Sequence, residues 1–469
     1  MIADDFMQLV RMNLPYQPTP QQDKAIERLA EFVCTSRDEV VFILRGYAGT
    51  GKTSMVAALV RALDGLKQRS VLMAPTGRAA KVFAAYAGHP AFTIHRRIYR
   101  QESLRREGGS FRLHVNLTGD TLFIVDEASM IATAGTSDNR FGSGRLLDDL
   151  VEFVYSGRNC RLLLMGDAAQ LPPVGEARSG ALIAEVLQGY GLEVMQTDLT
   201  GVVRQAADSG ILWNATRLRE QLARGTCSGL PAIRLDGFAD IRALGGEELT
   251  DTLSDCYARQ GIEESIVICR SNKQAGAYNR GIRAQILCYE EEISGGDLLM
   301  IAKNNYFWLA SQTHSKEADF LANGETVVVR RVRGSHECYG FRFTKVMLRL
   351  PYHDDRELEV LLLPDTLHSE APALAPADHT RLFEAVLEEY AHLPKAEGMK
   401  QLRSELHYNA LQVKYAYAVT CHKAQGGEWK NVFVDVGYVP PEQQGVDYYR
   451  WLYTAYTRAT EHLYLVNYR

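Results

Sequence analysis

The sequence lacks any long hydrophobic run, and none of its 469 residues lies in an apolar segment long enough to cross a bilayer. The first residues, 1–5, are acidic and contain no apolar core of the kind that a secretory signal peptide needs. We therefore expect a cytoplasmic protein with no membrane partner.

Paired cysteines and an excess of basic charge are also missing. The eight cysteines are scattered, and no two of them form a C-x-x-C pair, so neither a zinc site nor a disulfide framework is indicated. Free thiols suit a reducing compartment. The formal net charge is -5 at pH 7, so any contact with nucleic acid must use local basic patches.

The strongest feature that is present is a glycine-rich loop. Residues 46–53 read G-Y-A-G-T-G-K-T, which has the G-x-x-x-x-G-K-T form of a phosphate-binding loop. An apolar run over 40–44 predicts a buried strand before the loop, and helical spacing of apolar residues predicts a helix over 54–63. In this context, backbone N–H groups and the helix N-terminus face an anion.

We therefore predict that ATP binds at this loop. Lys52 is expected to contact the β- and γ-phosphates, and the Thr53 hydroxyl is expected to bind Mg²⁺. The predicted nucleotide contacts from the loop are Gly46, Ala48, Gly49, Thr50, Gly51, Lys52, Thr53 and Ser54.

Two later predicted strands are each followed by polar residues, which we expect to lie beside the glycine-rich loop. The apolar run 121–125 ends at Asp126 and Glu127, and the run 161–165 leads into a loop that contains Gln170. We expect Asp126 to hold Mg²⁺ and Glu127 to polarise the attacking water. Gln170 is a candidate to orient that water or to sense the γ-phosphate.

Four apolar strands, each followed by a polar loop, predict a doubly wound parallel sheet within residues 1–195. A second α/β region is predicted over 196–295 and again over 411–469. Short strands and turns between them, over 296–410, predict an inserted antiparallel β-module with charged helices. The predicted fold class is therefore α/β, with two parallel-sheet lobes and a small β-module.

Two sets of polar residues have alternative interpretations at this level. Gln22 follows Thr19 and Pro20 where a capping box places a glutamine, and it is also a candidate to read the adenine base. Thr76, Arg78 and Lys81 suit phosphate contacts, but they also suit an ordinary helix start with basic residues on its surface.

The ordered set of motifs resembles the superfamily-1 DNA helicases of the RecD-like and Dda-like branch, over residues 19–469. The Q-L-P-P-V wording at 170–174 favours this 5′→3′ branch over the UvrD-like branch of opposite polarity. The resemblance implies two RecA-like lobes with ATP and Mg²⁺ between them and single-stranded DNA along one face. It also implies that Arg204 and Arg458 reach the γ-phosphate from the second lobe.

The resemblance extends the site to further residues. It implies nucleotide contacts at Gln22 and Glu428, and it implies DNA contacts at Thr76, Gly77, Arg78, Lys81, Thr93, His95, Thr420, His422, Lys423 and Gln425. The arginine-rich excursion about residues 96–118 falls where relatives carry a strand-separating wedge. The charged helices predicted over 378–393 and 396–406 match no feature of the family and stay without a role.

Three functions fit these observations. The first is an ATP-dependent helicase that translocates 5′→3′ on single-stranded DNA and separates the duplex. The second is a RecD-like motor subunit that needs a nuclease or repair complex, and the third is an ATP-gated DNA-binding switch that does not unwind. RNA as the track stays open, because no residue reports on a 2′-hydroxyl.

Replacing residues 104–112 with a short Gly-Ser link should abolish duplex unwinding while DNA-stimulated ATPase and single-strand translocation remain. A wedge only has to block re-pairing, against about 1.4 kcal/mol of stacking per base-pair step. Forked-duplex unwinding and translocation assays measure the two effects. Unwinding at the rate of the unaltered chain would place strand separation elsewhere, and loss of ATPase would make the segment structural.

Overall fold

The computed structural model describes residues 3–101, 111–135, 141–201, 208–309 and 320–468. These residues form two lobes, each built on a parallel sheet, and a small closed barrel. The predicted α/β fold class is thereby confirmed. Arg204 and residues 102–110, which are the central part of the predicted wedge, lie outside the described ranges.

The first lobe contains strands β1 (Val40–Gly46), β2 (Arg69–Ala74), β3 (Ala91–Thr93), β4 (Tyr99–Gln101), β5 (Phe111–Leu113), β6 (Thr121–Val125), β7 (Arg161–Gly166) and β8 (Glu193–Leu199). Its helices are α1 (Ala3–Met12), α2 (Pro20–Cys34), α3 (Lys52–Gly65), α4 (Gly77–Ala87), α5 (Ile94–Ile98), α6 (Leu146–Tyr155) and α7 (Ala184–Gln188). Strands β4 and β5 form a separate antiparallel pair.

The main sheet of the first lobe has the order β3-β2-β6-β7-β1-β8 with parallel neighbours throughout. Its central strands β6, β7 and β1 are apolar on both sides because helices cover both faces. In β1, Phe42 packs into one apolar cluster with α1 to α4, whereas Val41 and Ile43 pack into another with α5 and α6. The loops that follow the strands therefore meet at one edge.

Two features of this lobe differ from the sequence expectation. The edge strand β8 carries the sheet past residue 195, and its alternating polar residues hide it from a search for apolar runs. The start of the arginine-rich excursion, for which no helix or strand was predicted, forms the end of helix α5 and strand β4. Strands β4 and β5 pair antiparallel, with Tyr99 opposite Leu113.

The second lobe contains strands β9 (Ile241–Leu244), β10 (Ser265–Cys269), β16 (Ala418–Thr420), β17 (Trp429–Asp435) and β18 (Ala459–Val466). Its helices are α8 (Gly210–Arg224), α9 (Gly246–Gln260), α10 (Asn272–Gly281), α13 (Cys421–Ala424) and α14 (Val446–Tyr456). The sheet order is β16-β10-β17-β18-β9, again with parallel neighbours. Helix α14 ends at Tyr456, and Ala459 already pairs with Trp429 in the sheet.

The β-module is a closed barrel of strands β11 (Leu298–Ile301), β12 (Thr326–Cys338), β13 (Phe341–Leu350), β14 (Arg356–Leu363) and β15 (Leu411–Tyr415). Its neighbours are antiparallel except β14 and β15, which are parallel. Register shifts in the β12–β13 pair, between Val329 and Arg331 and between Val332 and Gly334, suit the curvature that closure needs. Helices α11 (Pro376–Glu389) and α12 (Lys395–Ser404) lie between β14 and β15.

A buried ion pair joins the barrel to the second lobe. Arg283 donates to Asp297 through Nε at 2.9 Å and through Nη2 at 3.0 Å. Asp297 lies just before β11, its side chain is 0% exposed, and it also accepts from the Tyr417 hydroxyl and the Ser294 backbone N–H. Because every carboxylate oxygen has donors, this buried charge is well compensated.

Two further observations concern membrane-spanning helices and cysteine pairing. No helix among them is both long and apolar enough to span a membrane. All eight cysteines are free thiols.

Substituting Asp297→Ala should lower the free energy of unfolding by about 3–5 kcal/mol, because the Arg283 guanidinium stays buried without its carboxylate. Urea denaturation followed by circular dichroism measures the change. Arg242→Ala is the control, since its ion pair with Glu248 is half exposed and should contribute about 1 kcal/mol or less. Equal losses of unfolding free energy in the two variants would show that the buried Arg283–Asp297 pair contributes no more than an exposed ion pair.

Candidate nucleotide cleft and nucleic-acid groove

A cavity of about 390 Å³ lies between the carboxyl edge of the first sheet and the second lobe. The predicted site residues that line it are Ala48, Gly49, Gly51, Lys52, Thr53, Ser54, Asp126, Glu127, Gln170, Glu428 and Arg458. The structure therefore brings together residues from several loops of the first lobe and from two segments of the second.

The glycine-rich loop is shaped around the Lys52 side chain. The Lys52 ammonium donates to the carbonyl oxygens of Gly46, at 2.5 Å, and Tyr47, at 2.9 Å. A Cβ atom on Gly46 would lie 2.8 Å from the Lys52 side chain, so a larger residue there would force Lys52 to shift. Gly51 has a φ of 82°, in the left-handed region that glycine adopts without strain.

Gln22 lies behind this loop. Its side-chain oxygen accepts from the Thr19 backbone N–H at 3.0 Å, and the Thr19 hydroxyl caps the same helix, so the predicted capping box is present. The Gln22 amide nitrogen donates to the Thr50 carbonyl at 3.0 Å. Gln22 thus supports the phosphate loop from inside the lobe, and its contact with adenine stays a prediction.

Two acidic residues follow β6 at the cavity wall. Burial raises the pKa of Asp126, and the neighbouring Glu127 charge raises it further. Asp126 accepts a 2.7 Å hydrogen bond from the Glu127 backbone N–H. Glu127 has a φ of 52°, a left-handed conformation that is strained for a residue with a Cβ atom and that is often found at functional sites.

The oxygen donors at this wall suit Mg²⁺. The Thr53 hydroxyl and the Asp126 carboxylate line the same cavity, and Mg²⁺ prefers hard oxygen ligands with several waters or phosphates. No group of three or more His, Cys, Asp or Glu side chains among the described residues could hold a metal alone. A metal ion here would therefore depend on the phosphates of a nucleotide for part of its coordination.

Arg458 reaches the first lobe from the end of α14. Its Nη1 lies 3.6 Å from Glu127 Oε1, and its side chain is largely buried. The Arg458 Nε donates to the Thr454 carbonyl at 3.1 Å, and Nη1 donates to the Gly427 carbonyl at 3.2 Å. The guanidinium is thereby held in place opposite the acidic pair.

Gln170 is buried at the cavity wall. Its side-chain oxygen has no hydrogen-bond partner within the described part of the chain. A buried amide oxygen without a donor suits a water or ligand that the cavity would supply.

Several side chains join the two lobes beside this cavity, and none of them was predicted in that role. The Leu171 backbone N–H donates to the Thr454 hydroxyl at 2.9 Å, and the Gln425 amide donates to the Leu171 carbonyl at 2.7 Å. Gln425, a predicted DNA contact, is therefore engaged with the loop after β7. The Tyr453 hydroxyl contacts the first lobe as well. The partners in each of these contacts are far apart in the chain, so no local pattern in the sequence indicates them.

A second cavity, of about 470 Å³, lies where the two lobes meet the barrel. The predicted DNA contacts that line it are Thr76, Arg78, Lys81, His422, Lys423 and Gln425. The Arg78 guanidinium stacks on the Trp429 ring at 3.6 Å and donates to the Glu428 carbonyl. This groove gathers basic side chains from both lobes despite the negative net charge.

The barrel forms one wall of the groove through two contacts with α4. The Lys81 ammonium donates to the Pro351 carbonyl at 3.0 Å. At the N-terminus of α4, a Cβ atom on Gly77 would lie 2.7 Å from Glu325 Oε1. Gly77 therefore permits a close approach of the barrel.

The remaining predicted DNA contacts lie apart from this groove. Thr420 lines a smaller adjoining cavity together with Lys423. The Thr93 hydroxyl caps α5 by accepting from the Arg96 backbone N–H at 3.2 Å. The His95 ring packs 5.0 Å from Phe141, measured between ring centroids. Burial lowers the pKa of His95 to about 4, so its ring is neutral at pH 7.

Comparison with protein families matches both lobes. A model described as an AAA domain matches residues 17–234, and a model described as a UvrD-like helicase C-terminal domain matches residues 415–466. The ATP-dependent RecD2 DNA helicase of Deinococcus radiodurans is 30% identical over 304 residues, which cover 60% of this chain. The chain spans 37% of the length of that relative.

Other similar proteins match over more of their length. An uncharacterised protein of Acanthamoeba polyphaga mimivirus is 22% identical, and the match covers 94% of this chain and 98% of that protein. The crystal structure of Pif1 helicase from Candida albicans has 15% identity and a TM-score of 0.46, covering 97% and 95% of the two chains. A Bacteroides Pif1 helicase in complex with ADP-AlF3 and ssDNA has 15% identity and a TM-score of 0.47, covering 96% and 92%.

The lowered pKa of the His95 ring should make the protein less stable as the pH falls from 7.5 to 5.5. An unfolded histidine binds a proton below a pKa of about 6.5, whereas the folded pKa is about 4. The unfolded state thus binds more protons between these values, and stability is lost as the pH falls through this window.

Urea unfolding of His95→Gln at the two pH values should show a smaller pH-dependent loss than the unaltered chain. His392→Gln is the control, because His392 is exposed on the surface. An unchanged pH dependence in His95→Gln would show that another group causes the loss.

Proposed function

We propose that this chain, a RecD-like member of helicase superfamily 1, is an ATP-dependent helicase that moves 5′→3′ on single-stranded DNA and separates the duplex. The observation that carries the proposal is Arg458 of the second lobe, held 3.6 Å from Glu127 of the first across the cavity at the phosphate loop. A hydrolytic site divided between two lobes lets nucleotide turnover change the distance between them.

Each residue of the cleft has a defined task in this proposal. Lys52 binds the β- and γ-phosphates, and Glu127 accepts a proton from the attacking water while Gln170 orients it. Thr53 and Asp126 hold Mg²⁺, which neutralises phosphate charge when it is bound. Arg458 neutralises the charge that develops on the γ-phosphoryl oxygens, and Arg204 is expected to share this task.

The groove supplies the proposed DNA track. Arg78, Lys81, His422 and Lys423 line it, and basic side chains in a groove favour the phosphates of a single strand. The 5′→3′ direction is supported by the sequence Q-L-P-P-V at residues 170–174, which resembles the 5′→3′ branch. The intact Glu127 and Gln170 favour a motor over a DNA-binding switch, and nuclease or repair-complex subunits stay possible partners of a motor.

Unwinding by the purified chain tests the function and the direction together. We expect ATPase activity that single-stranded DNA stimulates, and separation of a duplex that carries a 5′ single-stranded tail. Duplexes with a 3′ tail and blunt duplexes are the matched substrates, and an RNA tail tests the nature of the track. Separation of the 3′-tailed duplex alone would overturn the direction, and ATPase without any unwinding would favour a motor subunit that needs partners.

Glu127→Gln should bind ATP and Mg²⁺ but lower the turnover number by about 10²–10⁴-fold, because the attacking water loses its general base. Steady-state ATPase and fluorescent-nucleotide binding separate the two effects. Glu152→Gln is the control, since Glu152 is an exposed acid on α6 of the same lobe. Normal turnover in Glu127→Gln would require another base, and loss of nucleotide binding would make Glu127 a binding residue.

A further inference from the structure

Tyr453 on α14 places its hydroxyl between two loops of the opposite lobe. The hydroxyl donates to Asp167 Oδ2 at 2.5 Å. The Tyr453 oxygen also accepts from the Ala48 backbone N–H at 3.1 Å. One side chain of the second lobe thus contacts both the phosphate loop after β1 and the loop after β7.

The Asp167 carboxylate depends on this contact. Asp167 is buried, and burial raises its pKa, although the nearby Lys52 charge opposes that shift. Its Oδ1 accepts from the Ala169 backbone N–H at 2.9 Å, and its Oδ2 accepts from Tyr453. Loss of the Tyr453 hydroxyl would leave Oδ2 without this donor. The loss should be costly, because a hydrogen bond to a charged carboxylate is stronger than one between two neutral groups.

Tyr453 contacts two loops that carry groups proposed to act on ATP. Ala48 belongs to the loop whose N–H groups are expected to face the phosphates, and Gln170 lies three residues after Asp167. Arg458 follows the C-terminal end of α14. The distance and rotation of α14 relative to the first lobe therefore decide where the Arg458 guanidinium lies.

We propose that Tyr453 is a positioning residue that holds α14 against the phosphate loop and the loop after β7. Its hydroxyl fixes Arg458 and Gln170 relative to the γ-phosphate of bound ATP. This role rests on the proposed ATPase function, but the contact itself can be tested without nucleotide.

The same helix provides a matched control. Tyr456 lies three residues after Tyr453 and is 0% exposed. Its hydroxyl has no hydrogen-bond partner in the part of the chain that the structure describes. Tyr456→Phe therefore removes the same atom from the same helix without breaking a contact between the lobes.

Hydrogen exchange of the nucleotide-free protein tests the contact. Tyr453→Phe should increase amide exchange at Ala48, in peptides that cover the phosphate loop, whereas Tyr456→Phe should leave it unchanged. Equal exchange in the two variants would overturn the proposal whether or not the protein hydrolyses ATP. A chain without ATPase activity but with this difference in exchange would instead count against the proposed function alone.

ATPase kinetics test the positioning role. Tyr453→Phe should lower kcat about ten- to hundredfold, the effect of losing one hydrogen bond to a charged group, with ADP affinity changed only a few-fold. The reason is that Lys52 and Thr53, which are expected to bind phosphate and metal, are untouched. Unchanged kcat, or an equal loss in Tyr456→Phe, would overturn the positioning role.

Asp167→Asn keeps the experiment decisive if Tyr453→Phe is too unstable to purify. An amide oxygen at position 167 still accepts from a tyrosine hydroxyl but carries no charge, so kcat should fall less than in Asp167→Ala. Equal falls of kcat in Asp167→Asn and Asp167→Ala would overturn the link without Tyr453→Phe. Where Tyr453→Phe can be purified, it should lower kcat by a smaller factor in the Asp167→Asn background than alone, because the effects of contacting residues are not additive. Additive effects would overturn the proposed link.

Discussion

The rest of this structure depends on one constraint, which is that the chemical groups of the cleft are divided between two separately folded sheets. Parallel strands place the phosphate loop, the acidic pair and Gln170 at one edge of the first lobe because all their carboxyl ends point the same way. Arg458 faces the acidic pair from the second lobe. The site is therefore complete only when the two lobes are in contact.

Features encoded by a continuous stretch of residues were predictable from the sequence. The apolar run in β1 and the glycine loop after it are local, because strand, turn and helix signals follow one another over residues 40–63. The capping box at Gln22 is local for the same reason. Arg458 faces Glu127 across the cleft, and the family resemblance implied a place in the cleft for Arg458 while the strand over 121–125 predicted one for Glu127.

Features that depend on residues far apart in the chain were not predictable in this way. Strand β8 carries polar residues because it is an edge strand, so only its pairing with β1 identifies it. The barrel closes through β11 and β15, which are separated by the whole module. His95 stays a predicted DNA contact, but its packing against Phe141 and its lowered pKa depend on a residue far along the chain, so its neighbours in the sequence do not indicate them.

The barrel is attached to the second lobe by two strands that lie side by side, since the chain enters through β11 and leaves through β15, which is its antiparallel neighbour. The Arg283–Asp297 pair braces that attachment, while Lys81 holds the far side of the barrel to the first lobe. The barrel is therefore attached to the second lobe through two strands and an ion pair, and it contacts the first lobe at Pro351. A change in the angle between the lobes therefore has to break the contact between Lys81 and Pro351 or carry the barrel with it, and either outcome alters the groove that this contact borders.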